Sequence, residues 1–421
     1  MNNNEWWMGA KIYELYIDKF AQNIQGLIDH LDHFSRLGVN TLHILPHYPS
    51  PMIDAGYDIT DFRGVRSDLG STLDLERLIV AAHEKGLRII LDFVVNHVSS
   101  EHPWFQEAQA SKENPKRNYF LWSETGEELR GSVNAFPGIK QHNWIRNPKT
   151  NDYYYATFYP EQPDLNWDNE EVISAMFDNM DFLAHLGADG FRIDAAPHLI
   201  KREGTDSRGL PETHKILKRM RAHLEEKYPG VILLAEAGGN IEETKSYFGN
   251  GDEFHMAYHF PLMSALWETL LFNDQTYVDD VMRASGDIPQ GCQWATFLRN
   301  HDDIELRNLP SETREKMINM LDPKREYLFN NGNTTAVRIA TAFSEDKEKI
   351  LQAFGLLYSL PGAPVCYYGD EIGMKNTPAR PDVIDTRFFV RGEFDWADAV
   401  NQMNDSNSLF AQIAKIITRK T

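Results

Sequence analysis

Apolar residues gather in eight short runs of strand-forming side chains, at 11–17, 41–47, 88–95, 190–196, 231–237, 255–263, 295–300 and 363–368. Between most of them the apolar positions return at helical spacing, clearest at 24–37, 73–85, 172–186 and 210–228, which predicts amphipathic helices. Eight β units separated mainly by helices suit a closed (β/α)8 TIM barrel better than an open doubly wound sheet. The pattern breaks once. Between the third and fourth runs, from about 98 to 168, the chain is rich in aromatics, Asn, Pro and Gly over a stretch far longer than an ordinary connection. This predicts a small subdomain inserted at 98–168 beside the barrel mouth, with residues 1–97 and 169–421 forming the barrel. After the eighth run an irregular segment, 376–396, leads to an amphipathic stretch, 408–419, that would close the barrel as its last helix. Nothing then remains for another domain.

Composition narrows the choice of partners and leaves the substrate open. With 42% hydrophobic and 25% charged residues the chain is ordinary for a globular protein with a large core. Its 62 acidic and 42 basic residues give a formal charge of −20, which disfavours nucleic-acid and anionic-membrane partners. The 23 Phe, 17 Tyr and 9 Trp suit the flat faces of sugars, but core packing uses the same rings. Only Cys292 and Cys366 are present, so nothing demands an oxidising compartment. The start has neither a basic nor an apolar leader region, and no uncharged stretch is long enough to span a bilayer. A cytoplasmic enzyme is the expectation.

Three acidic segments close strand-like runs: Gly190-Phe191-Arg192-Ile193-Asp194, Leu233-Leu234-Ala235-Glu236 and Phe297-Leu298-Arg299-Asn300-His301-Asp302. Singly they read as an ion pair, a helix cap and a surface turn. On strands four, five and seven of one barrel they converge at its C-terminal mouth, where such enzymes place their chemistry. Carboxylates so placed break glycosidic bonds; retention needs a nucleophile and a proton donor roughly 5–5.5 Å apart. Arg192 and Asp194 share a strand face, so the guanidinium would hold Asp194 ionised as nucleophile. Glu236 ends an apolar strand, and a desolvated carboxyl there would have a raised pKa and act as general acid/base. Asp302 could stabilise oxocarbenium-like charge.

At these residues the chain resembles the α-amylase superfamily, glycoside hydrolase family thirteen, over nearly its whole length. Four family motifs match Asp92-Phe93-Val94-Val95-Asn96-His97, 190–194, 233–236 and 297–302. The resemblance implies Asp194 as nucleophile, Glu236 as acid/base and Asp302 as transition-state stabiliser. It implies sugar contacts from Arg192, His97 and His301, and support from Asp92 and Asn96. Asp54-Ala55-Gly56-Tyr57-Asp58 resembles a segment in which Tyr57 would stack on the sugar and Asp54 would grip its non-reducing end. Arg391, five residues before Trp396, would complete that grip, with Arg387 as a competitor. Longer matches, including 202–205, 210–214, 252–263 and 293–302, resemble the trehalose-synthase branch, which interconverts maltose and trehalose. That likeness implies a small-saccharide substrate, a covalent glucosyl-enzyme and exclusion of water.

Departures from the family pattern bear on cofactors and assembly. The acidic Gly-containing metal loop that usually follows the first strand is replaced by Phe20-Ala21-Gln22-Asn23-Ile24, which removes one divalent-ion site. Lys201 stands seven residues after Asp194, where the resemblance implies a calcium neighbourhood in some members and a lysine in others. Its ammonium would replace the ion, so no metal and no cofactor are expected. The family's C-terminal β-sandwich is missing, which leaves the oligomeric state unknown. The same carboxylates would serve an α-glucosidase that admits water, or a transferase using another small acceptor. A non-catalytic carbohydrate-binding relative would have lost carboxylates that are all present here. A metal-dependent hydrolase would want His-x-His at the first strand, where Tyr13-Glu14-Leu15-Tyr16 stands instead.

Overall fold

The computed structural model describes residues 5–420. Thirteen strands occur among them: β1 (Ile12–Leu15), β2 (Thr41–Ile44), β3 (Arg88–Val94), β4 (Trp122–Ser123), β5 (Trp144–Asn147), β6 (Asp152–Tyr155), β7 (Gly190–Asp194), β8 (Ile232–Ala235), β9 (Met256–Tyr258), β10 (Gln293–Phe297), β11 (Leu328–Phe329), β12 (Thr334–Thr335) and β13 (Ala363–Tyr367). Eight of these close a parallel barrel in the order β1-β13-β10-β9-β8-β7-β3-β2. All eight predicted runs supply its strands. Closure is made where Ile12 pairs with Val365, and the register sets Asp92 beside Arg192 and Val94 beside Asp194.

Barrel strands are covered on both faces, so they read as near-continuous apolar runs and every β3 residue from Ile89 to Val94 is buried. Each fully buried Ile, Leu or Phe contributes about 1.5–3 kcal/mol of transfer free energy. Local signals start the helices. Ser71 and Asp74 form a reciprocal capping box for Thr72–Glu84, Asn169 caps Glu170–His185, and Pro211 opens Pro211–Lys227. At the end, Ser408 caps Leu409–Arg419, whose Phe410, Ile413 and Ile417 are buried; the Phe410 ring lies 5.2 Å from that of His33.

Two predicted elements are corrected. The sixth run, 255–263, is a strand only over Met256–Tyr258. At His259 the imidazole accepts from the Leu262 N–H at 3.1 Å and Pro261 sits in the first turn, so the helix Phe260–Phe272 starts inside the apolar run. The segment 24–37 is two helices, Ile24–Asp29 and Leu31–Leu37, broken at His30, whose ring stacks on Trp396 at 3.5 Å and 11°. That stacking ties the break to the irregular segment before the last helices.

Between β3 and β7 lies a three-stranded antiparallel sheet in the order β4-β6-β5, with helix Pro103–Ala108 beside it. The rings of Phe105, Trp122 and Tyr154 pack together there. A bridge from His97 to Asp164 returns this segment to the end of β3, and one from Phe120 to Leu165 joins two parts of it. The short hairpin β11–β12 stands between β10 and β13. Among the described residues no helix is long and apolar enough to cross a membrane.

Candidate active site

The top layer of the barrel is polar although it is sealed. Glu14, His43, Asp92, Arg192 and Tyr258 are each at most 1% exposed. Such groups persist in a core only when paired, and here they pair with one another. His43 lies between Glu14 Oε2 (3.2 Å from Nδ1) and Asp92 Oδ2 (3.3 Å from Nε2), and Tyr258 donates to Glu14 Oε2 at 3.0 Å. The Tyr57 hydroxyl donates to Asp92 Oδ2 at 2.9 Å.

On this floor one guanidinium joins three carboxylates. Arg192 Nη1 reaches Asp92 Oδ1 at 3.0 Å and Asp194 Oδ1, while Nη2 reaches Glu236 Oε1 at 2.7 Å. Asp194 ends β7 and Glu236 follows β8, its neighbour in the barrel. Directly after Asp194 the backbone turns through a left-handed Ala195 (φ 50, ψ 34), and its N–H donates to Glu236 Oε2 at 2.8 Å. A conformation that costs of order 1–3 kcal/mol for a non-glycine residue thus orients the second carboxylate.

Electrostatics differ across the three acids. Burial, and then the charge of Glu236, push the Asp194 carboxyl well above the ordinary range against the pull of Arg192. The expectation that Arg192 holds Asp194 ionised is thus opposed by burial and by the Glu236 charge, and the second opposition is lifted when Glu236 carries a proton. Glu236 lies beyond the strand's last apolar residue, and its side chain keeps 21% exposure, against 10% for Asp194. Burial raises Asp302 too, but His301, Arg387 and Arg391 together hold it well below the usual carboxylate range. His301 loses from burial yet is pushed up to about 9 by Asp302 and Glu14. His97 goes the other way, lowered to about 4 by burial. Its Nδ1 accepts from Asn96 Nδ2 at 3.3 Å, so Nε2 carries the proton, and that nitrogen has no partner among the described residues. A buried donor facing the cleft is suited to a ligand oxygen.

Asp54, Tyr57, His97, Asp194, Glu236, His301 and Asp302 line one cleft with an empty volume of about 1030 Å³, its open mouth included. Arg192, Asp92, Asn96 and Lys201 lie outside its lining and hold it from behind. The irregular segment brings a further correction. Arg387, and not Arg391, lines the cleft: its guanidinium reaches Asp54 at 3.0 Å, Asp302 at 3.1 Å and Asp385 at 2.6 Å, clamped between the rings of Phe136 (4.6 Å) and Phe329 (4.8 Å). Arg391 sits behind, 2.9 Å from Asp302 and donating to the His301 carbonyl at 3.0 Å. Spacing from Trp396 could not separate them, because the intervening residues form a 3-10 helix, Thr386–Val390, whose turn sets which arginine faces inward.

Sequence reasoning passed over Phe136, Phe158, His198, Arg208, Asp303 and Arg307, which line the outer part of the cleft. His198 ends a short 3-10 helix, Ala196–His198, and the others lie on loops without periodicity, so only the placement of their neighbours could have found them. It also passed over Glu14, visible in the sequence only as an acid within an apolar run. Lys201 Nζ meets Asn96 Oδ1 at 2.8 Å, Asp164 Oδ2 at 2.6 Å and the His198 carbonyl at 2.5 Å. Burial lowers its pKa against the pull of Asp164.

Comparison with known proteins fits this geometry. The α-amylase catalytic-domain family model matches residues 19–419. The chain belongs to the α-amylase family. Among its relatives are the trehalose synthase of Thermus thermophilus, 40% identical over 400 residues, and the trehalose synthase/amylase TreS of Mycobacterium tuberculosis (strain ATCC 25618 / H37Rv), 40% identical over 380. These alignments cover 93% and 88% of this chain but only 41% and 63% of those proteins, so the chain spans less than two thirds of the relatives' length. The solved α-glucosyl transfer enzyme XgtA superposes with a TM-score of 0.79 at 26% identity, over 97% of this chain and 83% of that one. Within the α-amylase family, then, both the catalytic-domain fold and a glucosyl-transferring relative align with nearly the whole barrel.

Proposed function

We propose that the chain is a retaining enzyme acting on small α-glucosides through a covalent glucosyl intermediate, with interconversion of maltose and trehalose as its main reaction. One observation carries the reading: Asp194 and Glu236, on neighbouring strands, are held by the two nitrogens of a single sealed guanidinium, facing a cleft whose inner end is closed by Asp54 and Arg387. In the first step Asp194 bonds to the anomeric carbon while Glu236 gives its proton to the glycosidic oxygen, releasing the second glucose. The negative charge passes from one end of Arg192 to the other, so the guanidinium needs no rearrangement. In the second step the anomeric hydroxyl of the released glucose displaces Asp194 and returns a proton to Glu236. Asp302, held ionised by three cations, stabilises the oxocarbenium-like charge between them.

Asp54 and Arg387 suit the terminal hydroxyls of a non-reducing glucose, and the free Nε2 of His97 suits another. Tyr57, whose ring stacks on His301 at 5.4 Å and 16°, gives the sugar a flat wall. For a metal the fit is poor. The oxygens that converge at Lys201 already hold an ammonium, and a calcium ion there would meet like charge. Two buried, unpaired thiols, Cys292 and Cys366, are compatible with a reducing cytoplasm. Hydrolysis as an α-glucosidase is the second reading, favoured by the solvent exposure that Glu236 and Asp302 retain, 21% each.

Incubation with maltose, followed by separate assay of glucose and trehalose and by NMR of the product's anomeric configuration, tests the proposal. Trehalose in excess of glucose is expected. Glucose alone moves the reading to hydrolysis, and an inverted product overturns the assignment of Asp194.

A further inference from the structure

We propose that Glu14, at the end of the first barrel strand, is a positioning residue for the transfer reaction: its carboxylate locks His301 as a two-sided donor and through it fixes Asp302 at the glucose pocket. The inference rests on the α-glucoside reading for its kinetic consequences, and on geometry alone for the state of His301.

Glu14 never meets the cleft. Both its oxygens are engaged: Oε1 accepts from the His301 N–H at 2.9 Å and faces His301 Nδ1 at 3.0 Å, while Oε2 faces Tyr258 and His43. The other ring nitrogen of His301, Nε2, lies 2.8 Å from the Tyr57 hydroxyl and 3.2 Å from Asp302 Oδ2. Tyr57 spends its own proton on Asp92, so it must accept from Nε2. Nδ1 faces a carboxylate oxygen and must donate as well. Donation from both nitrogens requires the imidazolium.

Every element around this ring agrees. Carboxylates reach it from β1 (Glu14), from its own loop (Asp302) and, through Tyr57, from β3 (Asp92). Two guanidinia lie near, Arg391 on the His301 carbonyl and Arg192 at 3.5 Å from the Tyr57 hydroxyl. The phenol ring of Tyr16 packs edge-on at 6.0 Å. Arg387 also meets Asp302, and His43 bridges Glu14 and Asp92, but only the Glu14 and Asp302 carboxylates face the ring nitrogens themselves, which accords with a His301 pKa near 9. Without the Glu14 charge the imidazole would lose a proton. Asp302 would then face a neutral ring, its charge less well met and its position left to Arg387 and Arg391.

The test compares the full chain with its Glu14→Gln variant, whose amide oxygen can still accept from the His301 N–H and Nδ1–H. Histidine-labelled NMR, with His301→Gln to assign the resonance, follows the titration of His301; kcat and KM on p-nitrophenyl α-D-glucoside are measured across pH. In the parent protein His301 should titrate near 9. In Glu14→Gln the titration and the alkaline limb of kcat should both fall by about one to three pH units, with KM nearly unchanged and activity regained on acidification. A parent His301 that titrates near the ordinary value overturns the proposal without any variant, so misfolding of Glu14→Gln leaves it decidable. Unmoved titration and an unmoved pH profile in the variant also overturn it. Absence of turnover in the parent would instead refute the α-glucoside reading, while the NMR arm still decides the role of Glu14.

Discussion

At the inner end of the cleft, charged side chains are pinned by several opposite charges, whereas at the outer end long side chains are held by one contact each. Arg192 and Arg387 each bind three carboxylates and are almost fully buried. Arg307, by contrast, pairs among the described residues only with Glu305, two residues before it, and keeps 51% of its side chain exposed, and Arg208 donates to the Gly238 carbonyl. Ion pairs in a sealed setting hold one geometry, because removing either partner strands a buried charge. Exposed pairs are worth little and move freely. On the proposed reading, the inner end would recognise one fixed sugar and the outer end would tolerate an acceptor that turns or changes.

The heaviest blow to the inner end is removal of Asp194, the nucleophile of the proposed reaction. Asp194→Ala should lower turnover of maltose by at least about 10⁴-fold while thermal unfolding shows the fold intact. Substantial residual turnover would put the nucleophile elsewhere and leave the inner cluster a structural ion network. The next test separates the two arginines of the irregular segment. Arg387→Ala strands Asp54 in a buried site, so kcat/KM for maltose should fall by about 10³-fold, mostly through KM. Arg391→Ala touches Asp302 from behind and should lower kcat by about tenfold with little change in KM. A reversed pattern would mean that Arg391 meets the sugar.

How much of this was legible follows the same division. Asp194, Glu236 and Asp302 stood out because each follows an apolar strand, and barrel topology brings strand ends together whatever the helices between them do. Glu14 and His43 did not: strands covered on both faces lose the alternation that would mark a polar partner, so their acid and imidazole read as isolated exceptions. How far Glu236 is exposed was not legible, because an apolar strand says nothing about the first residue beyond it. Arg387 was unresolved because a 3-10 turn has no long-range pattern, and the outer residues were invisible because loops carry none.

Lys201 tests how far the pinning extends behind the wall. Its ammonium ties Asp164, from the segment between β3 and β7, to Asn96 and the His198 carbonyl. Lys201→Ala should cost about 3 kcal/mol of stability in denaturant unfolding, and the vacated oxygens should make that variant gain stability on adding calcium. The parent protein's activity should survive exhaustive chelation. Collapse of the parent on chelation, with recovery on adding calcium, would show that an ion and not the lysine holds this wall.

The smallest effect is expected at the outer end, and its size is the point. Arg307→Ala removes a half-exposed side chain whose partner, Glu305, is only two residues away, so the pocket around the bound glucose should not change. Release of p-nitrophenol from p-nitrophenyl α-D-glucoside, which reports formation of the glucosyl-enzyme, should stay within about twofold of the parent. The ratio of trehalose to glucose formed from maltose depends on how the freed glucose is held while it turns, and should shift by about threefold, under about 1 kcal/mol. A large loss of p-nitrophenol release would mean that Arg307 supports the reacting sugar. The two ends of the cleft would then be one rigid site.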